Sequence, residues 1–97
     1  MAYKTLFTED ALVDLEDLLD YIRSDDPSAA ERFGTALLNH VDLLRSFPRL
    51  GEPVSGRPGV RKLLHSPVRV YYRLREDREL VEILHFWHMS RKPPRTR

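Results

Sequence analysis

The chain predicts an α+β fold: an N-terminal strand and an antiparallel helical hairpin packed on one face of an antiparallel sheet of about four strands. Three observations carry this expectation. Val68, Val70, Tyr72 and Leu74 alternate strictly with Arg69, Tyr71, Arg73 and Arg75, the period of a half-buried strand. Two earlier stretches, opening after Thr8 and after Asp26, repeat apolar residues at helical spacings of three and four. Between them and the strands, residues 47–59 hold three of the seven prolines and three of the four glycines, which marks a connecting loop.

Taken in chain order, Tyr3 to Phe7 is a short apolar opening suited to an edge or a central strand. Thr8 then offers an N-cap, with Glu9 and Asp10 in the first turn where the helix dipole favours carboxylates. Ala11, Leu15, Leu18 and Ile22, flanked by Leu12 and Leu19, form the apolar stripe of the first helix, and Asp10, Asp14, Glu16 and Asp17 are expected largely off it. The helix should end at Ser24-Asp25-Asp26-Pro27, with Asp26 capping a second helix whose first position is Pro27. That helix is expected to run to about Ser46 on a stripe of Ala30, Phe33, Leu37, Val41 and Leu44, with Gly34 allowing a close helix approach. The loop from Phe47 to Gly59 is expected to contain no regular element.

Three strands follow in a meander. Ser66-Pro67 turns the chain so that His65 faces Val68, Lys62 faces Tyr71 and Leu64 faces Arg69. After the turn Glu76-Asp77-Arg78-Glu79, the register that sets Glu82 against Arg73 spares a carboxylate from apolar surroundings and puts Val81, Ile83 and Trp87 in the core. It gathers Lys62, Arg69, Tyr71, Arg73 and His88 on the open face, with Arg73 partly neutralised by Glu82. His85, alternating with Ile83 and Trp87, reads as a core or interface histidine, and His65 as a turn residue.

Ninety-seven residues with 41% apolar content suit one domain, residues 1–90, followed by a basic proline-rich tail, residues 91–97. No apolar run reaches the roughly 20 residues of a spanning helix, and MAYKTLF lacks a signal-peptide core, so the expected location is the cytoplasm with no membrane partner. The absence of cysteine removes disulfides and thiol catalysis, and the four histidines lack a carboxylate at ligand spacing, so neither a metal nor another cofactor is expected. A net charge of +1 hides segregation: residues 1–46 carry four Lys and Arg against ten Asp and Glu, and residues 47–97 carry twelve against five. The basic half suits nucleic acid or an acidic protein partner, or else simply attracts the acidic half.

Five segments in order, ALVDLEDLLDYI, DDPSAAERF, LLRSFPRLGEPV, GVRKLLHSPVRVYYRL and VEILHFWHMSRKPP, resemble the RelE/ParE superfamily of type II toxin-antitoxin toxins. The helical hairpin and the final HxxR of His88 and Arg91 look closer to its ParE side, the plasmid stabilisation proteins. The resemblance implies a growth-inhibiting toxin neutralised by a cognate acidic antitoxin in a hetero-oligomer. Its target would be DNA gyrase on the ParE side, or the ribosome and its mRNA on the RelE side. A third reading keeps only antitoxin binding.

Under the ribonuclease reading, Lys62 and Arg69 match the KxxxxxxR of that branch, Arg91 its later arginine, and His88 supplies an acid or base. No tyrosine follows Tyr72, no glutamate stands at a clear base position, and only one sheet lysine stands where that branch often has more, which favours a gyrase inhibitor over an enzyme. Under either reading Lys62, Arg69, Tyr71, Arg73, His88 and Arg91 form the expected binding surface for target or nucleic acid.

Overall fold

Thr8 opens the first helix as its position predicts, its Oγ1 accepting the Ala11 N–H at 3.2 Å. A computed structural model describes residues 2–90, so the expected tail and Arg91 lie outside the described residues. The elements run β1 (Lys4–Phe7), α1 (Glu9–Asp25), α2 (Pro27–Asp42), β2 (Glu52–Pro53), β3 (Val60–His65), β4 (Val68–Arg75) and β5 (Leu80–His88). Asp26 ends one helix and begins the next. Its N–H donates to the Ile22 carbonyl at 2.9 Å, while its carboxylate accepts from the Ser28 and Ala29 N–H groups at 3.1 and 3.2 Å. The second helix finishes at Asp42 and continues as a 3₁₀ turn, Leu43–Arg45, close to the expected end. Gly34 does sit at the helix crossing, where an added Cβ would stand 3.3 Å from Leu19 Cδ2.

The sheet has five strands in the order β1-β5-β4-β3-β2. Two features depart from expectation. β2 interrupts the proline-rich loop, pairing Glu52 with Lys62 and Pro53 with Arg61. β1 lies parallel to β5, Phe7 against Ile83, so the sheet is mixed and not wholly antiparallel. A parallel neighbour is open to β1 because two helices and three strands intervene before β5, ample chain for the return.

The register of β3 on β4 is the expected one, His65 against Val68, Lys62 against Tyr71 and Leu64 against Arg69. On β5, Arg73 meets Glu82 as expected, but Tyr72 pairs with Ile83 and Tyr71 with His85, leaving Leu84 as an extra residue. With side chains alternating every residue, this bulge exchanges the faces of everything beyond it. Phe86 therefore enters the core at 3% exposure and Trp87, expected there, is turned out of it. The core joins Ala11 and Leu18 of α1 and Leu37 and Val41 of α2 to Leu63, Val70, Tyr72, Val81, Ile83 and Phe86 of the sheet.

Tyr72 is wholly buried, and its hydroxyl organises the loop before β2. It donates to the Pro48 carbonyl at 2.7 Å and accepts the Gly51 N–H at 3.0 Å. Burial pushes its pKa above 10.0, against smaller opposing effects of the Gly51 hydrogen bond and of Arg61. Gly51 has no room for a side chain, since a Cβ would stand 2.6 Å from the Lys62 carbonyl oxygen and 2.8 Å from Tyr72 Cε1. Tyr72→Phe strands both loop groups and is expected to cost ~1–3 kcal/mol, read as a lower urea midpoint at unchanged slope. Gly51→Ala should lower the midpoint too, because the atom it meets is backbone. An unchanged midpoint in Tyr72→Phe would mean that the loop is held by other contacts.

Candidate functional site

The helices cover one face of the sheet, and register assigns the residues of the other. Lys62, Tyr71 and His85 form one cross-strand row, Leu64, Arg69 and Trp87 the next, and Val60, Arg73 and Glu82 a third. The structure thus brings Lys62, Arg69, Tyr71 and Arg73 together on the open face, as expected. It does not bring His88 to them. His88 pairs with Val68 and so falls on the helix side, because the Leu84 bulge inverts the alternation that would have aligned it with Arg69. Its Nδ1 is engaged locally by the Ser90 N–H at 3.2 Å and the Ser90 hydroxyl at 2.7 Å.

Charge pairing on this face also differs from expectation. Glu82 lies opposite Arg73, yet its carboxylate accepts from Arg75 Nε at 2.7 Å. Lys62 Nζ is 3.6 Å from Glu52 on β2. Among the described residues Arg69 and Arg73 stand outside both pairs, on the same face of β4 at either side of Tyr71. Two cations and two aromatic side chains, Tyr71 and Trp87, suit an anionic partner with planar groups.

The imidazole on this face is His85. β1 ends at Phe7, and α1 takes over the edge of β5 from there. The Thr8 N–H and hydroxyl both donate to the Ile83 carbonyl, at 3.0 and 2.8 Å, and Asp14 Oδ2 accepts the Phe86 N–H at 3.2 Å. The same Asp14 oxygen is 2.9 Å from His85 Nδ1. A carboxylate only accepts, so Nδ1 carries the proton and Nε2 of the neutral ring is left as its lone-pair site. Asp14 was expected largely off the apolar stripe. It lies three residues after Ala11 and four before Leu18, both buried, so it shares their face and needs the polar partners it has here.

Where α2 meets β3 and β2 there is a cleft of about 460 Å³, whose lining includes His40, Leu50, Glu52, Lys62, Leu64 and Arg69. Leu50 and Leu64 are exposed apolar side chains at 48% and 59%. Lys62 and Arg69 belong to both the cleft and the open sheet face. Among the described residues no three His, Asp or Glu converge to hold a metal ion, and no helix is long and apolar enough to cross a membrane.

Asp14→Ala removes the acceptor of one backbone and one side-chain donor and is expected to cost ~1–3 kcal/mol in unfolding free energy. It should also release the His85 tautomer, seen as a change in its ring ¹⁵N shifts. Unchanged ring shifts would mean that Asp14 does not set the tautomer.

Comparison with known proteins gives a consistent answer. A family model described as "ParE toxin of type II toxin-antitoxin system, parDE" matches residues 5–93. The Sinorhizobium fredii protein named "Putative toxin Y4kP" is 35% identical over 81 residues, covering 77% of this chain and 79% of its own. Among solved structures, the chromosomal ParDE toxin-antitoxin system of P. aeruginosa aligns with a TM-score of 0.76 at 23% identity, over 90% of this chain and 96% of that one. The toxin-antitoxin complex RelBE2 of Mycobacterium tuberculosis aligns with a TM-score of 0.65 at 25% identity, over 91% and 99%. With the family model spanning nearly the whole sequence, the chain belongs to the ParE toxins of type II toxin-antitoxin systems.

Proposed function

We propose that this toxin arrests growth in the cytoplasm by binding DNA gyrase through the open sheet face, without catalysing a reaction, and that an acidic antitoxin holds it inactive. The observation that carries this reading is the separation of His88 from Lys62 and Arg69 by the Leu84 bulge. Ribonuclease action through His88 needs that ring beside the two cations, whereas binding needs only the cations and aromatics. Arg69, Arg73, Tyr71 and Trp87 supply those, with Lys62 partly engaged by Glu52.

One observation favours the alternative, ribosome-dependent mRNA cleavage. Asp14 holds His85 with Nε2 unprotonated in the neutral ring, on the face that carries Arg69 and Arg73. There Nε2 would take the proton of a ribose 2′-hydroxyl as its oxygen attacks phosphorus, and return it to the departing 5′-oxygen, while the arginines balance the phosphorane charge.

Induction of the chain in a bacterial host, with pulse labelling of DNA, RNA and protein, separates the two. Early loss of DNA synthesis with an SOS response is the expected result. Early loss of protein synthesis with cleaved mRNA would overturn it in favour of RNA cleavage, and unchanged growth would leave only an antitoxin-binding module. Each unpaired arginine is expected to supply a charge-assisted contact, so Arg69→Ala and Arg73→Ala should each weaken target binding by about 10- to 100-fold. His85→Gln, which keeps a hydrogen-bonding group on the face, should retain most of the activity if the target is gyrase and be inactivating if it is RNA.

The α2–β3 cleft is the proposed seat of the antitoxin. An amphipathic segment would lay apolar side chains against Leu50 and Leu64 and its carboxylates against Lys62 and Arg69, assembling a hetero-oligomer. Leu64→Asp is expected to raise the dissociation constant for the cognate antitoxin by at least tenfold in calorimetry without altering the toxin's own fold, because Leu64 is solvent-exposed. Undiminished affinity would put the antitoxin elsewhere.

A further inference from the structure

His40, which lines that cleft, meets a second histidine, His65, that stands 25 residues away in the chain. His40 belongs to the last turn of α2 and His65 is the last residue of β3. Their Nδ1 atoms are 2.8 Å apart and their ring centroids 5.1 Å, so the rings approach nitrogen to nitrogen. Phe33, also on α2, stands T-shaped to the His65 ring at 5.5 Å. At this separation one Nδ1 must carry hydrogen and the other must present its lone pair.

We propose that His40 and His65 form an acid-released latch, which closes the end of α2 onto the β3–β4 turn while the pair carries no more than one positive charge and opens when both rings are protonated. Counting protons gives the mechanism. In the neutral pair one ring donates through Nδ1 and the other keeps its hydrogen on Nε2. Adding one proton to the donor ring strengthens the bond by making it charge-assisted. A second proton puts N–H against N–H, which removes the acceptor and opposes two like charges across the same contact.

The surroundings give the second proton little support. Lys62 and Arg69 line the cleft beside His40, and the cleft's carboxylate, Glu52, is already 3.6 Å from Lys62. On the α2 side Asp42 is engaged by Arg45 at 3.4 Å. Across Val68 the register places His88, whose Nδ1 is held by Ser90. Burial, and then the facing His40 ring, keep the His65 pKa below its ordinary 6.5. The unfolded chain therefore binds the proton more readily than the folded one. The stability that rests on an unprotonated His65 is full above about pH 6.5 and is lost as pH falls through the lowered His65 value. Release frees the turn His65-Ser66-Pro67-Val68 and the cleft wall that His40 supplies.

The test is an NMR titration of the histidine rings of the isolated toxin, with amide hydrogen exchange followed across the same pH range. His65 should titrate below 6.5 and His40→Ala should move it upward. Exchange at residues 64–66, at Val68 and at residues 40–42, corrected for intrinsic chemistry, should accelerate roughly tenfold on acidification, the loss of about one charge-assisted hydrogen bond. His65→Phe keeps a ring against Phe33 and removes the proton, so its exchange at these sites should not respond to pH; it also serves if His40→Ala fails to fold. An ordinary His65 pKa that ignores His40→Ala would overturn the proposal. So would exchange at the turn that is equally fast above and below the His65 transition.

Discussion

The takeover of the β5 edge by helix α1 decides which side chains this sheet presents on its open face. β1 pairs with β5 only as far as Ile83, and from there the Thr8 hydroxyl and the Asp14 carboxylate satisfy backbone groups that a strand would otherwise bond. The change of partner coincides with the Leu84 bulge, and one extra residue in a period of two inverts the faces beyond it. Phe86 fills the core in place of Trp87, and His85 replaces His88 on the cationic face. Those exchanges together turn a surface arranged like a catalytic site into one whose imidazole is tied to a helix.

Much of the fold was legible because local chemistry and global topology agree. Thr8 and Asp26 are caps set by chemistry within a turn of their own helices, and the β3–β4 register follows from the tight Ser66-Pro67 turn and an unbroken alternation. The bulge was not legible from turn residues, since neither glycine nor proline stands near it. Its trace is parity, because Phe86 breaks the alternation begun by Val81 and Ile83. β2 was missed because two residues leave no pattern, and the parallel pairing of β1 because hydrophobicity carries no direction.

The site was legible in its cations and illegible in its pairings. Lys62, Arg69, Tyr71 and Arg73 share a face by alternation alone. Whether Glu82 engages Arg73 or Arg75 is a matter of side-chain reach along the diagonal of the sheet, and the diagonal partner prevails. The His40–His65 contact and the Asp14–His85 contact join elements distant in sequence, and motif spacing reports on neither. Asp14 could have been flagged from its place on a buried helix face, where a carboxylate needs partners.

The strand order has a consequence for synthesis. β5 lies between β1 and β4 in space, yet it is the last of the five strands to leave the ribosome. Until it arrives, β1 has no partner, Asp14 has no backbone donor from Phe86, and the helical hairpin lacks Val81, Ile83 and Phe86 beneath it. The contacts that close the molecule span more than 70 residues, Thr8 to Ile83 and Asp14 to Phe86, so they form late by loop-closure entropy as well as by order of translation. The nascent chain is thus without its complete open sheet face until β5 itself has been made and docked between β1 and β4.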